Sequence, residues 1–183
     1  MTTEQNHYQI KTQMMKIYAL LIMSALIQIT EIQAQTPEQR IEELGITLTE
    51  PSDPIANFVN WRRVGNVLYL SGTGARVLGK VGTDLTVEEG YEAARLTGIR
   101  VLSTLKAAVG DLTKIKQFVR VHGMVNSAPN FYDQPKVMNG FSDLMVEVFG
   151  EKGKHARAAV GQVSLPFNMA VEIEVTVEVE EDM

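Results

Sequence analysis

The clearest pattern in the chain is near its end, where Val171, Ile173, Val175, Val177 and Val179 alternate with Glu172, Glu174, Thr176, Glu178 and Glu180. A period of two puts successive side chains on opposite faces, so residues 170–179 read as a strand with one dry face and one acidic face. Residues 115–125 are rich in β-branched and aromatic types and predict another strand, closed by the turn chemistry of Asn126 to Asn130. A third strand is predicted over 155–163 and joins the last through Leu165, Pro166, Phe167 and Asn168. Earlier, Asn66 to Gly72 is a short apolar run, and Gly72, Gly74, Gly79 and Gly82 punctuate the stretch after it. The expectation there is a strand, a loop and a second short strand.

Two longer stretches have the helical period instead. Tyr91, Ala94, Gly98, Leu102, Leu105 and Val109 recur behind a capping box formed by Thr86 and Glu89, and Gly110 supplies the stop. Val137, Met138, Phe141, Leu144, Met145 and Val148 form a second apolar stripe, with Pro135 in the first turn and Gly150 at the end. A short helical stretch over 37–44 ends at Gly45. The order ββαβαββ, with two amphipathic helices able to cover one face of a sheet, predicts an α+β two-layer sandwich. The other sheet face has to be disposed of, which favours a homo-oligomer over a monomer.

Upstream of this domain, residues 17–29 form an uncharged apolar run preceded by Lys11 and Lys16. A run of about 13 residues fits the core of a secretion signal and is shorter than the roughly 20 residues that span a bilayer. The organisation expected is a signal peptide over 1–35, cleaved after Ala34 or Gln35, an N-terminal arm over 36–54 and a single domain over 55–183. The mature protein is then exported, into a periplasmic setting, with no membrane attachment after cleavage; an uncleaved anchor is the alternative. A start at Met14 would serve the same signal equally well.

Composition narrows the chemistry. The net charge is -5 and no Lys/Arg cluster exceeds the pair Arg62-Arg63, so the basic footprint of a nucleic-acid partner is missing. With no Cys in 183 residues, disulfides and thiolate chemistry are excluded. His7, His122 and His155 are far apart and form no ligand-spaced motif, so no metal is expected.

Several ordered segments carry a family resemblance: Gly65-Asn66-Val67-Leu68-Tyr69-Leu70-Ser71-Gly72, then Leu102-Ser103-Thr104-Leu105-Lys106-Ala107-Ala108, then Ala156-Arg157-Ala158-Ala159-Val160 with Leu165-Pro166 and Val171-Glu172-Ile173-Glu174. Over about Phe58 to Val179 the chain resembles the Rid (reactive intermediate deaminase) proteins, also called YjgF or endoribonuclease L-PSP-like. The resemblance implies a chorismate-mutase-like fold, a homotrimer with ligand clefts between subunits, and hydrolysis of reactive 2-enamine or 2-imino acids to 2-oxo acids and ammonia without a cofactor. Binding of small carboxylates without turnover is the alternative function. RNA cleavage, suggested by the older name, ranks lower in so acidic a chain.

On this resemblance Arg157 binds the substrate carboxylate. A guanidinium suits that role because it donates two parallel hydrogen bonds and stays cationic. Without the resemblance, Arg157 reads as a surface arginine paired to a neighbouring Glu. Glu172, fifteen positions on, matches the glutamate that positions water, and a held carboxylate can act as general base toward it. Taken alone it belongs to a solvated row of acids. Phe58, Ser71, Gly72, Ala158 and Ala159 fall at substrate-lining positions, although Phe58 stands where many members carry an aromatic hydroxyl. Thr73 and Ala158 replace residues that are commonly larger or more polar. His155, two residues before Arg157, is expected to share its strand face, and Asn139 is a secondary candidate on the second helix.

Overall fold

The structure is a computed structural model that describes residues 11–16 and 35–181. Residues 11–16 are helical and belong to a unit separate from Thr36–Met183. The apolar run over 17–29 and the cleavage point after Ala34 lie outside the described residues, among which no helix is long and apolar enough to cross a membrane.

The unit from Thr36 begins with helix α1 (Pro37–Glu43), opened by a capping box between Thr36 and Gln39. It is fastened to the body rather than free. Ile41 is buried in the core, and Glu38 Oε1 accepts from Lys106 Nζ at 2.7 Å and from the Leu112 amide at 2.8 Å.

Strands β1 (Trp61–Val64) and β2 (Val67–Thr73) form an antiparallel hairpin around Gly65, which takes a φ of 58°. The second short strand therefore precedes the apolar run instead of coming after it. The segment 74–86 makes only isolated bridges, such as Val81 to Ser127, because Gly79 and Gly82 adopt positive φ and turn the chain away from any ladder. The pair Arg62-Arg63 concealed β1 in the sequence, yet Trp61 sits opposite the buried Leu70.

Helix α2 (Val87–Val109) starts at the expected box, with Thr86 accepting from the Glu89 amide and Glu89 from that of Thr86. Then come β3 (Ile115–Asn126), α3 (Gln134–Phe149), β4 (Ala156–Gln162) and β5 (Val171–Val179). The sheet order is β1-β2-β5-β3-β4, with β4 parallel to β3 at one edge and the other pairs antiparallel. The fold is thus the expected α+β arrangement, with α2 and α3 over one face of a five-stranded sheet. Buried Val171, Ile173, Val175, Val177 and Val179 meet Leu102, Leu105, Phe141 and Leu144 from the helices. Glu172, Glu174 and Thr176 lie on the face without helices.

The helices pack tightly enough to need glycine at Gly140, where a Cβ would collide with the Tyr91 carbonyl oxygen. Tyr91 Oη to Asp143 at 3.0 Å and Arg95 to Glu147 at 2.7 Å tie the outer sides of the same contact. Gly140→Ala must push two rigid backbones apart. The expected cost is about 2 kcal/mol or more, seen in circular-dichroism melting as a midpoint lower by about 5 °C.

Candidate functional site

Arg157 lies on the edge strand β4, aligned with the buried Val121 of β3, so its side chain leaves the sheet on the helix-covered side. There it reaches past the core to helix α3. Nη1 donates to Asn139 Oδ1 at 3.1 Å and to Ser142 Oγ at 2.8 Å, and Nη2 donates to the Pro135 carbonyl at 3.3 Å. All three acceptors are neutral, and among the described residues no carboxylate lies within ion-pair reach of the guanidinium. The surface-pair reading of Arg157 is therefore not what the fold contains.

His155 does share this side. Its Nε2 lies 3.0 Å from Ser142 Oγ and its Nδ1 2.7 Å from the Gly153 carbonyl, while its ring packs on Phe118 and Phe141. Burial, and after it the positive charge of Arg157, hold the imidazole pKa below its ordinary value. Asn139, a loose candidate in the sequence, is brought directly onto Arg157. Ser142 was missed, although its signal was present. It comes three positions after Asn139 on a helix, which places both polar groups on one face beside the apolar stripe.

Glu172 belongs to a different cluster. A Cβ on Gly72 would overlap its Oε1, so the glycine is what lets the carboxyl group settle against β2. The ladder between β2 and β5 slips between Leu70 and Thr73, a bulge that re-aims Ser71 and Gly72 at this point. Ser71 Oγ donates to the Val59 carbonyl at 2.6 Å, tying in the segment that carries the half-exposed Phe58.

Its neighbours in the acidic row are paired: Glu178 with Lys116 at 2.8 Å and Gln117 at 2.6 Å, and Glu174 with His122 at 3.3 Å. Glu172, in contrast, has no hydrogen-bond or ion-pair partner among the described residues. Partial burial, with the nearby Glu174 charge a smaller cause, pushes its pKa up.

The two clusters do not meet within one chain. Glu172 aligns with Met124 on the helix-free face, whereas Arg157 aligns with Val121 on the covered face. Strand β3 separates them, and their partners on it are three residues apart, so two strand spacings and that offset put their backbones about 14 Å apart. Ala158 and Ala159 split in the same way. Ala158 aligns with His122 on the open face, and Ala159 aligns with Gly123 and packs toward the core. Among the described residues no group of His, Asp or Glu is arranged to hold a metal ion.

The chain matches the family profile described as "YjgF/chorismate_mutase-like, putative endoribonuclease" over residues 38–179. It is 43% identical over 145 residues to Protein TCP17 of Trypanosoma cruzi, covering 75% of this chain and 91% of that one. The crystal structure of Atu1372, a protein of unknown function from Agrobacterium tumefaciens, superposes with a TM-score of 0.74 at 44% identity, covering 79% of this chain and 92% of its own. A Shewanella oneidensis protein titled "putative endoribonuclease" gives a TM-score of 0.76 at 34% identity, covering 79% of this chain and 100% of its own. With its profile, its fold and these relatives in agreement, the chain belongs to the YjgF/chorismate mutase-like family.

Proposed function

We propose that this protein hydrolyses small 2-enamine and 2-imino acids to 2-oxo acids and ammonia, with Arg157 binding the substrate carboxylate and Glu172 orienting the attacking water. The observation that carries this reading is the state of Arg157: a guanidinium fixed by three neutral acceptors, with no carboxylate of the described chain beside it. A cation positioned in this way is complementary to an incoming anion, which can take two parallel hydrogen bonds. The first turns of α3 lie beneath it, and their helix dipole adds positive potential at the same place.

The second cluster supplies the chemistry. After the enamine tautomerises, water adds to the imine carbon. Glu172 accepts a proton from that water and returns it to the nitrogen, giving a carbinolamine; it then relays the hydroxyl proton to the nitrogen as the C–N bond breaks, so that ammonia leaves and a ketone remains. A carboxylate without a cation, with its pKa raised toward the working pH, is a better base than its paired neighbours Glu174 and Glu178. Only water is consumed, so the reaction draws on no cofactor.

Because Arg157 and Glu172 leave opposite faces of the sheet, the reading requires Arg157 of one copy to meet Glu172, Gly72, Ser71 and Phe58 of another. Beside Arg157, Ala158 and Ala159 bring the edge of β4 to this cleft. A trimer in which each copy serves two clefts satisfies the requirement. Binding without turnover is the second reading, and it is favoured if copies do not assemble in this way.

The direct test generates 2-iminobutanoate or 2-iminopropanoate in situ with an amino-acid oxidase and monitors 2-oxo acid release. The expected result is release well above the protein-free rate. Equal rates with and without the protein would reject hydrolysis.

A further inference from the structure

The Ser142 hydroxyl that accepts from Arg157 is shared with His155, and the hydrogens of this chain of contacts can be placed from its two ends. At one end the Gly153 carbonyl only accepts, so the Nδ1 lying 2.7 Å from it carries a proton. At the other end Arg157 only donates, so its 2.8 Å contact occupies a lone pair of Ser142 Oγ. The Ser142 proton is then left for His155 Nε2 at 3.0 Å, and that nitrogen accepts only while the imidazole is neutral. We infer that His155 is a positioning residue that fixes the Arg157 guanidinium through Ser142, and that protonating His155 loosens the clamp. The inference rests on the reading of Arg157 as the carboxylate-binding group.

The surroundings favour the neutral ring. Phe118 of β3 lies 6.3 Å from it and Phe141 of α3 5.8 Å, centroid to centroid. Burial and the charge of Arg157 oppose protonation, and the Gly153 carbonyl favours it. Ser142 is uncharged, and the adjacent Lys154 is paired with Glu151 at 2.6 Å. A protonated His155 would donate from Nε2 to an oxygen that already receives a hydrogen from Arg157. Two cations would then share one hydroxyl, and the Ser142 proton would have to move elsewhere. The clamp is therefore complete at neutral pH and relaxes on acidification.

The test is calorimetric binding of 2-oxobutyrate, whose carboxylate stays ionised, between about pH 5 and about pH 8. A Glu172→Gln background removes that carboxyl group from the titration. In this background Kd is expected to rise about tenfold toward acid pH. Adding Ser142→Ala should weaken neutral-pH binding about tenfold, in line with one hydrogen bond to a charged group, and should flatten the pH profile. Ser142→Thr retains the hydroxyl and should keep both properties. Alanine favours a helix, and circular dichroism checks that the fold is intact. If Arg157→Ala binds as tightly as its parent, the clamp reading itself fails. If Arg157→Ala abolishes binding while Ser142→Ala keeps the parental affinity and pH profile, the role given to His155 is overturned and the clamp stands.

Discussion

Replacing Arg157 with alanine is expected to lower kcat/KM for imino acids about a thousandfold while leaving the fold intact. The magnitude comes from removing a charged, two-pronged contact to a carboxylate, a loss of about 4 kcal/mol at about 1.4 kcal/mol per tenfold. Stability should hardly change, because the arginine is exposed and the groups it releases are neutral and can be hydrated: Asn139 Oδ1, Ser142 Oγ and the Pro135 carbonyl. Arg157→Lys keeps the charge without the planar fork and should fall between the two. Steady-state kinetics paired with thermal melting reads both quantities. Unchanged kinetics in Arg157→Ala would remove the carboxylate clamp from the mechanism.

Glu172→Gln is expected to lower kcat by about a hundredfold or more, the scale of a general base, with a smaller effect on KM. The pH profile makes the assignment specific. The pKa of Glu172 is raised above the ordinary carboxylate value, and in the proposed mechanism the base form is the active one. The wild-type rate should therefore be full above that raised pKa and fall as pH drops through it. Glu172→Gln should lose this acid limb, leaving a low and flatter profile.

A mixing experiment separates the two geometries. Within one chain these residues occupy opposite sheet faces, so the proposed site draws them from two copies. Arg157→Ala and Glu172→Gln, each nearly inactive alone, should recover about a quarter of wild-type activity when unfolded and refolded together, since random assembly gives one cleft in four both native residues. No recovery, in a mixture shown to have assembled, would mean that the two residues act within a single chain or not together.

The strand β5 was legible because its pattern is local: alternating valine and glutamate place themselves on two faces whatever else the chain does. Helix α2 was legible for the same reason, since the Thr86–Glu89 capping box and the stop at Gly110 are written within a few residues of the ends they define. Strand β1 was not, because Arg62 and Arg63 hide a pairing that exists only once Trp61 meets Leu70 across the hairpin. The segment after Gly72 reads as strand-like, but Gly79 and Gly82 bend it into a loop whose backbone bonds go to Asn126 and Ala128 instead.

At the site, the residue types are legible along the chain: one arginine beside two small residues on the penultimate strand, a glutamate in the last strand, and a glycine able to accept its approach. Their relations come from the folded packing alone. The number of residues between Arg157 and Glu172 says nothing about facing once a turn and a crossover intervene, and the register of β4 on β3 and of β3 on β5 turned them to opposite sides. The same packing joined Asn139, Ser142 and His155 to Arg157, because a hydrogen-bonded chain between a helix and an edge strand depends on distances that no local pattern records.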